Sequence, residues 1–314
     1  MKAIKLAVLI FCSLWLGACG GGGDDENQTA NLSLDIGDAP VDGADKVVIT
    51  IDSITLKRDS GDDVVLAVTD ANGDPVTLDL LDYQGGDTYL AIDSASIPAG
   101  TYSDVRLGIE DEDTSLSYVE TGDGIFTLKV PSDELKLGGF TATAGGQLAF
   151  TLDFNLRRAM TYNPGPQRYI IKPRGISLVE SAILGGISGT VTATLAESCN
   201  TSTDSVNYGF VYLYSGHSLT TLADDFDSGA SGAPDGATAP VASVAVTLSD
   251  DTDASYGYQF GLIPAGDYTL AFSCDGINDE PETYEGLTIP NPAGLSYELA
   301  LSEGQSLVQD ISND

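Results

Sequence analysis

Apolar and polar residues alternate along most of the chain. The first clear run is Leu32-Ser33-Leu34-Asp35-Ile36, and the longest is Val47 to Leu56. A period of two with many β-branched side chains places one strand face in a core and the other in solvent. The same pattern predicts strands near Val64–Val68, Val76–Leu81, Tyr89–Ile92, Tyr102–Ile109, Ile125–Val130, Gln147–Phe154 and Tyr169–Val179. Turn residues break it at Asp59-Ser60-Gly61, Asn72-Gly73, Gly85-Gly86, Gly122-Asp123-Gly124 and Gly145-Gly146. No long helical period occurs, and Leu135–Phe140 is expected to hold a single turn. After Gly185-Gly186 the pattern restarts, with strands predicted over Ile187–Ala193, Phe210–Tyr214, Val241–Leu248, Tyr256–Leu262 and Tyr268–Phe272. Weaker strands follow near Thr283–Ile289 and Leu295–Leu301. Asp224–Pro240, rich in Gly, Ala, Ser, Pro and Asp, is expected to be a mobile loop.

One hexapeptide links the halves. Ile97-Pro98-Ala99-Gly100-Thr101-Tyr102 recurs as Ile263-Pro264-Ala265-Gly266-Asp267-Tyr268. Proline fixes φ, glycine permits the turn and tyrosine opens the next strand, so the motif reads as a structural corner. The predicted class is all-β, with two sandwich domains of immunoglobulin-like or prealbumin-like type. The expected boundaries are a leader over 1–18, a tether over 19–30, a β-rich domain over 31–182 and an acidic sandwich over 183–314.

The leader resembles a bacterial lipoprotein signal. Lys2 and Lys5 give a positive start, Leu6 to Leu16 an apolar run, and Leu16-Gly17-Ala18-Cys19 the ending. The run is too short for a bilayer span, which needs about 20 residues, and suits an export signal. What the resemblance implies is cleavage before Cys19, a lipid on its thiol, and a membrane contact through that anchor. Gly20 after the cysteine resembles residues that permit sorting to the outer membrane, with the periplasmic and outward faces both open.

Composition sharpens the picture. The chain has 13 Lys and Arg against 47 Asp and Glu, a formal net charge of −34. Without a basic patch to neutralise phosphates, nucleic acid is not expected as a partner. No Lys or Arg lies beyond Arg174. The second half is therefore expected to form no Lys or Arg salt bridges, and its repulsion to be relieved by salt, bound cations or carboxyl protonation. Of the cysteines, Cys12 and Cys19 belong to the leader and its cleavage point. Cys199 and Cys274 remain, and in an exported chain they are expected to form a disulfide. On the loop-entropy view such a closure contributes about 4 kcal/mol.

Candidate chemistry is sparse. His217, the only histidine, sits in Tyr214-Ser215-Gly216-His217-Ser218, a turn after a strand. There is no Gly-x-Ser-x-Gly elbow, and one histidine with two oxidised cysteines does not make a zinc site. Asp70, Asn72 and Asp74 place oxygens at alternating positions, so calcium is the one cofactor considered. Their loop departs from the calcium pattern at Gly73 and Pro75, and a hairpin turn explains it better. The acidic clusters Glu110–Asp113, Asp250–Asp253 and Asp279–Glu282 read as solvated loops. Tyr212 and Tyr214 share a strand face, with Tyr208 nearby, and read as packing before they read as a sugar platform.

Several stretches together, in order, resemble a family of bacterial lipoprotein domains known as domain of unknown function 4382. They are Gly37-Asp38-Ala39-Pro40 with Val47–Leu56, Val76–Leu81, Ile97–Tyr102 with Val105-Arg106-Leu107, Phe126–Pro131, Leu152-Asp153-Phe154, and Tyr169–Pro173. The likeness spans about Asn31 to Glu180 and brings no catalytic residues. The second half is similar to carboxypeptidase regulatory-like, prealbumin-like sandwiches in Ile187-Ser188-Gly189-Thr190-Val191 and in Leu262–Tyr268. These resemblances imply a non-enzymatic, lipid-anchored envelope protein that contacts an envelope or extracellular partner. The alternatives are a calcium- or carbohydrate-binding adhesion module and, further off, a hydrolase using a carboxylate pair.

Overall fold

The structure, a computed structural model, describes residues 28–39, 43–131, 134–200, 206–226, 230–249 and 255–313. Cys19, the rest of the leader and the cluster Asp250–Asp253 lie outside these. The first strands are β1 (Thr29–Ala39), β2 (Lys46–Arg58), β3 (Val64–Ala67), β4 (Val76–Asp79), β5 (Tyr89–Pro98) and β6 (Gly100–Glu110). They are followed by β7 (Tyr118–Thr121), β8 (Gly124–Lys129), β9 (Glu134–Lys136), β10 (Phe140–Ala142) and β11 (Gln147–Asn155). After helix α1 (Leu156–Ala159) come β12 (Met160–Asn163), β13 (Arg168–Ile171) and β14 (Ile176–Glu180). These strands make two sheets, a four-stranded one in the order β14-β11-β1-β5 and a ten-stranded one built on β6 and β2. The alternation read from the sequence puts Leu32, Leu34, Ile36, Leu152 and Phe154 of the first sheet against Ile49, Ile51, Ile54 and Leu107 of the second.

The second sandwich contains β15 (Leu184–Val191), helix α2 (Ala193–Cys199), β16 (Phe210–Ser215), β17 (Ala242–Ala245) and β18 (Thr247–Leu248). It ends with β19 (Tyr256–Pro264), β20 (Gly266–Ser273), β21 (Ser296–Leu301) and β22 (Ser306–Val308). Its sheets run β18-β19-β15-β22 and β17-β16-β20-β21. Phe210-Val211-Tyr212-Leu213-Tyr214 is apolar without alternation because β16 is buried on both faces. Val211 and Leu213 enter the sandwich core, and Phe210, Tyr212 and Tyr214 form a second cluster outside it. Cys199, at the end of α2, and Cys274, just after β20, form a disulfide. The Asn207 amide braces the same point by donating to the carbonyls of Cys199 and Cys274.

The two sandwiches repeat one six-stranded core. β1 pairs with β5 antiparallel and with β11 parallel, just as β15 pairs with β19 and β22. β6 lies between β2 and β10, as β20 lies between β16 and β21. The registers coincide: Pro98 faces Thr29 and Pro264 faces Leu184, while Gly100 faces Ala142 and Gly266 faces Leu301. The hexapeptide is the hinge of this match. In each copy it carries the chain from one sheet to the other, and its tyrosine hydroxyl donates to its proline carbonyl at 2.7 Å, Tyr102 to Pro98 and Tyr268 to Pro264. The alanine between them ties back to the residue before the first strand, Ala99 N to Gln28 O and Ala265 N to Ile183 O.

Three expectations are corrected. Leu135–Phe140 holds no helical turn: Leu135 and Lys136 belong to β9 and Phe140 to β10, both pairing with β6. Thr283–Ile289 forms no strand. The stretch from Asp224 to Pro240 is anchored at its ends: Leu222 bridges Thr238, and Asp224 and Asp225 are fully buried.

Candidate functional site at the junction of the sandwiches

The most elaborate polar site lies between the two sandwiches. β11 ends at Asn155, whose side chain accepts from Arg158 N and caps α1. A 3-10 turn over Pro173–Gly175 packs against α1, and Gly175 is required there because a Cβ would stand 2.4 Å from Ala159 N. Arg157, Arg158, Lys172 and Arg174 are thereby gathered on one side, facing the acidic second sandwich.

Each of these cations meets a carboxylate across the junction. Arg157 is buried; it donates to Ser243 Oγ at 2.6 Å and to the Asp279 carbonyl at 3.0 Å, and stands 3.5 Å from Asp279 Oδ2. Its guanidinium carbon lies 5.0 Å from the centroid of the Phe210 ring, a cation–π contact. Arg158 Nε is 3.4 Å from Asp225 Oδ1. Glu282 Oε1 takes Lys172 at 2.7 Å, Arg174 at 3.1 Å and the Thr161 hydroxyl at 2.6 Å. The second sandwich thus draws cations from the first. The expectation that this half forms no Lys or Arg salt bridges is corrected. The reading of Asp279–Glu282 as a solvated loop is corrected as well: Asp279 is buried, and Glu282 is the acceptor for three donors.

Burial dominates the electrostatics of Asp279 and Asp225. The Asp279 carboxyl is pushed up to about 7 by desolvation, outweighing Arg157 and the Tyr212 hydroxyl that donates to it at 2.9 Å. Asp225 is raised for the same reason, against the pull of Arg158, Arg157 and Arg174. Glu282, less buried, is held below the ordinary range, chiefly by its hydrogen bond from Lys172. Apolar contact completes the junction. Leu262 lies over Gly37, and Gly261 approaches Gly86 so closely that a Cβ on Gly261 would stand 2.3 Å from Gly86 N.

The residues singled out from the sequence fall elsewhere. Asp70 Oδ1 accepts from the backbone of Asn72 and Asp74, and Gly73 takes positive φ, so the loop is a hydrogen-bonded hairpin turn. Among the described residues no group of three or more His, Cys, Asp or Glu is arranged to hold a metal ion. His217 lies exposed in a bend with Nε2 2.9 Å from the Leu299 carbonyl. Tyr212 and Tyr214 are fully buried, their hydroxyls bonded to Asp279 and to the Ala223 carbonyl, and offer no ring face to a sugar. Tyr208 packs edge-on against Tyr256. Asp111 and Glu112, in the first acidic cluster, pair with Lys129. Sequence reasoning missed the junction itself. Its one signal was the crowding of Arg157, Arg158, Lys172 and Arg174 just before a half with no cation.

The family model described as "Domain of unknown function (DUF4382)" matches residues 29–173, nearly all of the first sandwich. No curated protein matches the sequence. Among solved structures, a leucine-rich repeat protein of Bacteroides thetaiotaomicron is 12% identical, with a TM-score of 0.22. The match covers 91% of this chain but only 26% of that one. A provisionally assigned cell adhesion protein of Bacteroides fragilis is 11% identical over 90% of this chain and 92% of its own, with a TM-score of 0.22. The minor pilin of Streptococcus agalactiae is 9% identical over 89% and 95%, with a TM-score of 0.18.

Proposed function

We propose that this is a non-enzymatic, lipid-anchored protein of the bacterial outer membrane, in which two repeated sandwiches form one stiff acidic module that engages an envelope or extracellular partner. The observation that carries the reading is the junction. Its charged side chains are bound to one another across the two sandwiches, which is the chemistry of a structural joint and leaves no poised acid, base and nucleophile at that place. Cys19 supplies the anchor, and the tether between Cys19 and β1 sets the module off the membrane. The buried faces of Tyr212 and Tyr214 weigh against a sugar platform, and the internal bonds of Asp70 weigh against a calcium loop.

The test is made in cells of the source bacterium or a related host. With an alkyne-tagged palmitate, label is expected on the wild-type chain and not on Cys19→Ser, which should leave the membrane fraction. A Cys19→Ser chain that still labels and still pellets with membranes would contradict the anchor. Turnover of a glycan or ester by the purified protein would contradict the non-enzymatic reading.

A further inference from the structure

Leu262 adopts a left-handed backbone (φ 56), which is unusual for a branched side chain. Its Cδ1 lies where Gly37 leaves room; a Cβ on Gly37 would be 2.5 Å away. This knob projects from β19 onto the outer face of the β14-β11-β1-β5 sheet, and two cavities flank it, both lined by Phe260, Gly261 and Leu262. One, of about 470 Å³, is glycine-rich and contains Asp35, which has Thr88 as a hydrogen-bond partner. The other, of about 300 Å³, contains Asp153.

Asp153 is on β11 between Gly37 and Ser177, on the face opposite to the core residues Leu152 and Phe154. Its Oδ1 is closed off from solvent and accepts no hydrogen bond from the protein. Desolvation pushes the carboxyl up to about 7. Arg158 reaches the same cavity but is engaged by Asp225. The rest of the wall is mostly apolar: Val179 from β14, and Val241, Phe260, Ile263 and Tyr268 from the second sandwich.

We infer that this cavity binds a small organic ammonium ion, with Asp153 as its counter-ion and Val179 and Val241 in its apolar wall. The volume is that of a small-ligand site, and amounts to about ten water volumes. A hard divalent ion takes about six to eight oxygen ligands, which these side chains do not provide. An alkylammonium needs one carboxylate, an apolar wall for its carbons and, at best, an aromatic face for its charge. This cavity offers the carboxylate and the apolar wall.

The probe is n-butylammonium chloride, with 1-butanol as the uncharged control, titrated calorimetrically into the purified protein at pH 8 and constant ionic strength. The expected result is saturable one-to-one binding of the ammonium, at least tenfold tighter than that of the alcohol. Asp153→Asn should lose that preference, and Asp35→Asn, in the neighbouring cavity, should keep it. Val179→Phe fills the cavity while retaining the carboxylate and should also abolish binding, so the test survives if Asp153→Asn folds poorly. Equal binding of ammonium and alcohol, retention of the preference by Asp153→Asn, or no saturable binding by the wild type would overturn the assignment.

Discussion

At the scale of single residues, the junction turns on Arg157. A buried guanidinium is costly unless its donors are satisfied, and Ser243, Asp279 and the Phe210 ring satisfy it together. Arg157→Met should therefore lower stability by about 3–5 kcal/mol, because it leaves Asp279 buried without its cation; urea denaturation checks this. The acids give a pH signature. Asp279, Asp225 and Asp153 all have carboxyls raised above their unfolded values by burial. The folded protein binds more protons than the unfolded chain between about pH 4 and 7, so stability falls as pH rises through that window. Glu282 and Asp70, which are lowered, lose their contribution only on further acidification. The melting temperature should be higher at pH 5 than at pH 8 at fixed ionic strength, and the double variant Asp153→Asn with Asp279→Asn should flatten that slope. A wild-type slope of opposite sign would show that the buried acids are not desolvated as described. None of this was visible in the sequence. Asp279-Glu280-Pro281-Glu282 has the composition of a solvated loop, and only its position beside Arg157 and Lys172 makes it otherwise.

At the scale of elements, the sequence was most informative where the period of two is undisturbed. β1, β2, β6, β11 and β20 lie where alternation and turn residues put them, and the repeated hexapeptide is a corner in both sandwiches. Tyr102→Phe and Tyr268→Phe each remove one such hydrogen bond and should each cost about 1 kcal/mol; unequal costs, read from denaturant midpoints, would show that the two corners are not equivalent. What was not legible is short or depends on distant partners. Ser306–Val308 is too brief to show alternation, yet it forms β22 because β15 offers it a parallel edge. α2 is only seven residues long, and the disulfide and Asn207 hold its end. Close backbone approach is likewise invisible in advance. Gly261→Ala should destabilise by about 1–3 kcal/mol, because its Cβ would press on the backbone of Gly85 and Gly86 in the other sandwich. A neutral result in thermal melts would mean that the junction yields where it is described as tight.

At the scale of the whole molecule, the uneven distribution of charge is the organising fact. A half without Lys or Arg is completed by four cations of its neighbour, and a six-stranded core used twice supplies the two bodies that these cations join. Buried pairs are screened by salt far less than surface pairs, so the joint should hold through the buried Asp279 and Asp225 at ionic strengths that silence the exposed charges. The sandwiches should then unfold together although each has its own apolar core. Differential scanning calorimetry of the protein at low and high salt tests this most directly. A single transition is expected, with calorimetric and van't Hoff enthalpies equal, splitting into two when Arg157→Met and Glu282→Gln are combined. Two separate transitions in the wild-type protein would contradict the account.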